Sequence, residues 1–193
     1  MLGKKKAVKS LREYIRESIT PLPTIYCDMD GVLVDWYKGA DKALVKHGLP
    51  KWQDSYWDQY PGEKGQAIRW EVLNRESKFW VDLEFIPGAQ QLWKFIFPYH
   101  PHILSHASEY SPTAVVQKHQ WLANHLRLNN NANIHIVLKR ADKQRFAINN
   151  GRPNVLIDDF AKNCNEWKAA GGIAILHTSV ANTVSQLKKL GFK

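Results

Sequence analysis

Cysteine is scarce in this chain, with only Cys27 and Cys164 in 193 residues. The pair has neither the spacing of a zinc site nor the density of a disulfide scaffold, so a reducing, intracellular compartment is expected. No apolar run approaches membrane-spanning length. The basic start, Met1-Leu2-Gly3-Lys4-Lys5-Lys6, is not followed by the apolar core of a signal peptide. A soluble, cytoplasmic protein without a membrane partner is the expectation. Internal repeats and low-complexity tracts are absent. Acidic residues are the minority, 18 against 27 lysines and arginines, and the formal net charge of +9 attracts polyanions or phosphorylated small molecules. Part of that excess is local to Lys4, Lys5, Lys6, Lys9, Arg12 and Arg16, which fit either a solvated helix face or a contact with nucleic acid.

What is present is globular. Hydrophobic residues make up 44% of the chain and aromatics 11%, enough to bury a sizeable core in one large domain or one domain with an insertion. Val8, Leu11, Ile15 and Ile19 recur at helical spacing and predict an amphipathic helix before Pro21 and Pro23. Five apolar strands follow: Ile25 to Cys27, His102 to Ser105, Ile134 to Leu138, Val155 to Ile157 and Ile173 to Leu176. Helices are expected between them at Trp36 to His47, Gly65 to Arg75, Ala89 to Phe97, Ser111 to Leu126, around Trp167 to Ala170, and at Val180 to Leu190. Ser111 would cap the fourth, which should bury Val115, Val116, Trp121 and Leu122. A helical turn is expected through Phe146, Ala147 and Ile148. Apolar strands alternating with amphipathic helices predict an α/β fold with a parallel sheet covered on both faces.

The chemistry concentrates in Asp28-Met29-Asp30-Gly31-Val32-Leu33. Asp28 falls at a strand's carboxyl end, where open α/β sheets bind ligands, and Gly31 allows the sharp turn that follows. Two carboxylates and the carbonyls between them form a hard oxygen donor set suited to Mg²⁺. A carboxylate beside such a cation can attack phosphorus to give an aspartyl-phosphate. On its own the tetrapeptide is equally a polar turn. Three other predicted strand ends, however, carry Ser105, Lys143 a few residues on, and Asp158 with Asp159. In a parallel sheet these ends share one edge. Ser105 and Lys143 could then donate to a transferring phosphoryl group, and Asp30 could protonate the leaving oxygen and later deprotonate water.

These stretches resemble the haloacid dehalogenase (HAD) superfamily of Mg²⁺-dependent phosphatases, whose four motifs match Asp28 to Leu33, Ser105, Lys143 and Asp158-Asp159. Within it the chain is most similar to 5′(3′)-deoxyribonucleotidases, through Asp28 to Asp35, Phe79-Trp80-Val81-Asp82-Leu83-Glu84, Pro87-Gly88-Ala89, Asp142-Lys143 and Ala169-Ala170-Gly171-Gly172-Ile173. The resemblance implies a three-layer α/β/α, Rossmann-like core over 23–36 and 86–193, a small helical cap over 37–85 inserted after the first strand, and a basic extension over 1–22. It further implies Asp28 as nucleophile and metal ligand and Asp30 as acid/base that ligates through its carbonyl. Asp158 and Asp159 complete the metal set, and Ser105 and Lys143 bind phosphate. Trp36, Phe79 and Trp80 would line a nucleoside pocket, with His106 beside the second motif. Three departures stand out: Leu104-Ser105-His106 where Thr-Ser is common, Phe160 where an arginine usually follows the paired aspartates, and a longer spacing than usual from Lys143 to Asp158.

The expected activity is dephosphorylation of a nucleoside monophosphate, deoxy forms favoured. The positive charge keeps open a phosphatase of nucleic-acid ends, or a silent nucleic-acid-binding protein on the same scaffold. Aromatics Trp52, Tyr56, Trp57, Tyr60, Trp70 and Trp80 fit either the insertion's own core or a stacking surface for a base. Oligomeric state is open, a homodimer included.

Overall fold

The computed structural model describes residues 21–129 and 131–193. The helix expected over Val8 to Ile19 and the basic amino terminus lie outside them. β1 (Ile25–Cys27) is fully apolar and buried throughout, and is the central strand. α1 (Trp36–Lys46) follows the acidic turn, capped by Asp35, whose carboxylate accepts from Lys38 N at 3.0 Å. A 3₁₀ segment, Ser55–Gln59, leads to α2 (Glu63–Arg75). Then come α3 (Ala89–Ile96), β2 (His102–His106), α4 (Ala114–Leu126) and β3 (Ile134–Val137). A 3₁₀ segment, Arg140–Phe146, precedes a small hairpin of β4 (Ile148–Asn149) and β5 (Arg152–Pro153). β6 (Val155–Asp158), α5 (Ala161–Ala169), β7 (Ile173–Leu176) and α6 (Val180–Lys189) complete the chain.

The main sheet runs β3-β2-β1-β6-β7 and is parallel throughout. Alternation along the strands builds two cores. Tyr26, Leu104, Leu156 and Ala174 meet Cys164 and Trp167 of α5 on one face. Ile25, Cys27, Ile103, Val155, Ile157 and Ile175 meet Leu92 and Ile96 of α3, Trp121 and Leu122 of α4, and Leu187 of α6 on the other. Helices thus cover both faces of the sheet. Strand order reverses between β1 and β6, and a crevice opens at such a switch point outside the carboxyl ends. Asp28 N–H donates to Ile157 O at 2.9 Å and His177 N–H to Asp158 O at 2.9 Å, so the ladder extends to the site residues themselves.

Several local expectations change. α4 begins at Ala114, with Thr113 at its cap position and no side-chain cap bond. Ser111 is buried instead, and its Oγ accepts from Trp80 Nε1 at 2.9 Å. Val116 is 60% exposed, because the buried stripe of α4 runs through Ala114, Gln117, Lys118, Trp121, Leu122 and Leu126. The helical turn expected through Phe146 to Ile148 ends earlier, with Phe146 closing the 3₁₀ segment and Ala147 capping it, while Ile148 opens a hairpin in which Asn150 (φ 49°) and Gly151 (φ 74°) both adopt positive φ, as a tight two-residue connection requires.

The end of α1 and the segment that follows it share a small core, Leu44, Trp57 and Val72 with Leu49, Trp52, Tyr60 and Ile68 around them. Trp70, Phe79 and Trp80 belong to the main core. The aromatics of this segment therefore divide between its own small core and the main core.

Candidate active site

The turn after β1 is shaped by its backbone. Leu33 and Val34 N–H donate to Met29 O at 2.8 and 2.9 Å, and Gly31 N–H donates to Val34 O at 3.0 Å. Gly31 has φ 75°, and a Cβ there would collide with the Asp159 carboxylate. Two constraints thus select glycine, the positive φ and the close approach of a site carboxylate.

Asp28 is nearly buried, and Lys143 Nζ stands 2.8 Å from its Oδ2 and 2.7 Å from Asp158 Oδ2. Met29 N–H donates to Asp28 Oδ1 at 2.7 Å. Burial opposes ionisation of Asp28, but Lys143 and Lys118 outweigh it and hold the carboxyl below its usual range. For Lys143, burial acts downward, and the two carboxylates outweigh it and raise the pKa.

Asp158 is fully buried, accepting from Phe160 N at 2.9 Å and from Asn163 Nδ2 at 3.0 and 2.9 Å. Its pKa is pushed up to about 6, first by burial and then by Asp28. Asp159 is pushed up to about 7 by burial and by Asp28 and Asp158. Oxygens of Asp28, Asp158 and Asp159 lie within 4.8 Å of one another. Three crowded carboxylates against one lysine are an incompletely neutralised set of hard oxygen donors, which fits a divalent cation.

Asp30 faces the same space. Its Oδ2 receives Lys118 Nζ at 2.5 Å, while its Oδ1 is the buried side-chain oxygen without a partner among the described residues. Burial raises the Asp30 pKa, Lys118 opposes it, and Asp28 adds to it. Ser105 is fully buried, and its Oγ accepts from Lys118 Nζ at 2.9 Å. His106 lies on the cleft wall, its imidazole lowered to about 4 by burial and by Arg140, Lys118 and Lys143, so it is neutral at pH 7.

A cleft of ≈ 920 Å³ rises from this floor. Trp36, Trp52, Trp70 and Trp80 form one side, and Leu138, Arg140, Phe160 and Lys162 are also among its lining residues. The tryptophans brace one another. Trp36 and Trp52 meet edge to face at 4.7 Å, Trp52 and Trp70 at 5.6 Å, and Trp70 stacks on Trp80 at 6.2 Å. Phe79 does not line the cleft; it packs edge-on behind Trp36 and Trp80, at 6.3 and 5.2 Å.

Asp28, Asp30, Lys143, Asp158 and Asp159 therefore meet at one point, with Trp36, Trp80 and His106 around it and Ser105 just beneath. The sequence reading missed Lys118 and Asn163. Each had a signal: Lys118 interrupts the apolar stripe of α4 between Ala114 and Trp121-Leu122, and Asn163 sits beside Cys164 on the buried side of α5.

The parallel sheet and the strand-end aspartates define a HAD-like α/β fold. Three solved structures share that fold at low identity. A hydrolase from Streptococcus pneumoniae TIGR4 matches with TM-score 0.53 and 14% identity over 86% of this chain and 98% of that one. A haloacid dehalogenase-like family protein from Streptococcus pneumoniae matches with TM-score 0.53 and 15% identity over 79% and 83%. CbbY from Rhodobacter sphaeroides, in complex with phosphate, matches with TM-score 0.51 and 12% identity over 80% and 85%. No curated protein matches by sequence. The chain belongs to the 5′ nucleotidase, deoxy (pyrimidine), cytosolic type C protein (NT5C) family, whose model matches residues 22–188. It is a phosphatase of the HAD type. Among the described residues no helix is long and apolar enough to cross a membrane.

Proposed function

We propose that this protein hydrolyses nucleoside monophosphates, deoxyribonucleotides in particular, through an aspartyl-phosphate on Asp28. One observation carries the reading: a buried carboxylate held ionised by Lys143 lies beneath a wall of tryptophans, beside a second carboxyl group, Asp30, whose Oδ1 has no partner among the described residues. A carboxylate oxygen of Asp28 attacks phosphorus, the bond from phosphorus to the ester oxygen breaks, and Asp30 gives that oxygen its proton. Water then gives a proton to Asp30 and attacks phosphorus, releasing inorganic phosphate and restoring Asp28.

Lys143 neutralises charge on Asp28 and on the incoming phosphoryl oxygens. Asp28, Asp158 and Asp159 would hold Mg²⁺, with Asp30 adding its carbonyl as the family resemblance implies. That ion, when bound, neutralises phosphoryl charge at the floor. Residues 37–85 serve as the cap that excludes water over the site. Trp36 and Trp52, both in the cleft lining, would contact the base, and Trp80 would close the cleft near the phosphate.

The test is phosphate release, with Mg²⁺, from 5′- and 3′-mononucleotides in ribo and deoxy forms. Turnover of deoxymononucleotides above ribonucleotides and small phosphate esters is expected. Release from none of these esters would overturn the proposal.

A second reading, removal of terminal phosphates from nucleic acid, is favoured by the basic lining residues of the cleft. Arg140 lies 5.2 Å over the Phe160 ring, and Lys139 and Lys162 also line the cleft. A cation and an exposed ring next to the reactive floor suit a neighbouring nucleotide. This reading requires that 5′- or 3′-phosphorylated oligonucleotides outcompete mononucleotides and lose activity steeply with salt.

A further inference from the structure

Lys118 lies in the middle of α4 and has no exposed surface. Its ammonium has three donors, and each meets an acceptor: Asp30 Oδ2 at 2.5 Å, Ser105 Oγ at 2.9 Å and the His106 carbonyl at 2.8 Å. It also sits 4.5 Å from the Trp80 ring centroid. The adjacent Gln117 receives Trp80 N–H at 3.1 Å and donates to Ser77 O at 2.9 Å. One turn of α4 thus holds both the acidic turn after β1 and the segment carrying Trp80.

Resting on the reaction proposed above, we infer that Lys118 is a positioning residue that aims two groups of the site, the acid/base Asp30 and the hydroxyl of Ser105. The argument is one of donor and acceptor arithmetic. An ammonium can only donate, so it fixes Asp30 Oδ2, and with it the orientation of the carboxyl group, and leaves Oδ1, buried and without another partner among the described residues, as the oxygen that can hold the proton. By donating to Ser105 Oγ it fills an acceptor site there, and the Ser105 proton is free to point at a phosphoryl oxygen. Because Lys118 is sealed from the cleft, it acts through these partners. Stability alone is a poor account of such a residue, since a buried ion pair is often no more stabilising than apolar side chains of similar volume.

The experiment is a double-mutant cycle of K118M and D30N, read with two esters. A deoxynucleoside monophosphate has a poor leaving group that needs a proton, whereas p-nitrophenyl phosphate does not. With the nucleotide, K118M should lower kcat by about 100-fold, within the range for lost general acid catalysis, while KM changes by less than about threefold. With p-nitrophenyl phosphate the loss should be at least about tenfold smaller, the shared part reflecting Ser105. In the D30N background K118M should add no further loss specific to the nucleotide, and K118R should recover part of the single-mutant loss.

Equal losses with both esters, or losses that multiply in the double mutant, would overturn the inference and leave the reaction intact. A D30N variant as active as wild type on the nucleotide would overturn both. Thermal unfolding of each metal-free variant guards against simple misfolding. Should K118M alone fail to fold, K118M/D30N against D30N still decides, because neutralising Asp30 removes the buried carboxylate left without its partner.

Discussion

The two ends of the central sheet bury polar groups in opposite ways. At the carboxyl end Asp28, Asp158, Lys143 and Lys118 are buried as charges, while Asp159 adds a further crowded carboxylate. At the amino end Tyr26, His102 and His135 are packed ring against ring, with His102 and His135 stacked at 5.2 Å and 17°. One end accepts electrostatic tension that a reaction can use, and the other removes charge so that the strands can pack. Burying unneutralised charge costs free energy, so the end where it accumulates is the end where chemistry is to be sought.

That contrast breaks first at Asp28. Asp28→Asn keeps the shape and removes the attacking charge, so phosphate release should fall by about 1,000-fold or more on every ester, with an unchanged circular dichroism spectrum. A variant retaining a tenth of wild-type turnover would mean the carboxyl end is not the reactive end. Asp159→Asn should separate function from stability at the same end. Its removal of one of three crowded carboxylates should raise the melting temperature of the metal-free protein, while about tenfold more Mg²⁺ should be needed to produce the stabilisation that the ion gives wild type. A lower melting temperature in the metal-free variant would show that the cluster is not under repulsion.

The wall above the carboxyl end should govern substrate choice and little else. Trp36 is half-buried and stands at the cleft, whereas Trp80 is 2% exposed and anchored to Ser111 and Gln117, so Trp36 is the cleaner probe. Trp36→Ala should raise KM for a nucleotide about tenfold, the scale of one lost base-stacking contact, and leave a small phosphate ester within about twofold. Equal effects on both would assign Trp36 to packing alone.

Legibility in the sequence followed the range of the physics involved. The five strands are short apolar runs bounded by turns, and Asp28 to Gly31 is a local pattern whose backbone and carboxylates act within four residues. Both were readable without tertiary information. Lys118 was not, because a lysine on a helix ordinarily faces solvent; only its place on the stripe of Ala114, Trp121 and Leu122 marks it. Ser111 before Pro112 has every local feature of a helix cap, yet Trp80 takes its hydroxyl from a distant segment. Composition announced many aromatics between 52 and 80. It could not sort Trp57, sealed in the small core, from Trp52 and Trp70, which pack against the cores and also line the cleft, or put Phe79 behind the wall instead of on it.

The amino end offers the mildest test. His102 Nδ1 and His135 Nε2 are 2.9 Å apart and share one hydrogen, an arrangement that requires at least one neutral ring. Burial lowers both pKa values, and His102 lowers His135 further. Below pH about 6.5 the unfolded histidines take up protons that the folded pair resists. The unfolded state then binds more protons, so stability is present at neutral pH and declines as pH falls, by at most about 1.4 kcal/mol per pH unit for each histidine. His135→Gln, which cannot be protonated, should flatten the decline in melting temperature between pH 6.5 and 5 and leave phosphate release at pH 7 within about twofold of wild type. An unchanged slope would mean the pair does not resist protonation. A large loss of turnover at neutral pH would tie the amino end to the chemistry and dissolve the contrast between the two ends.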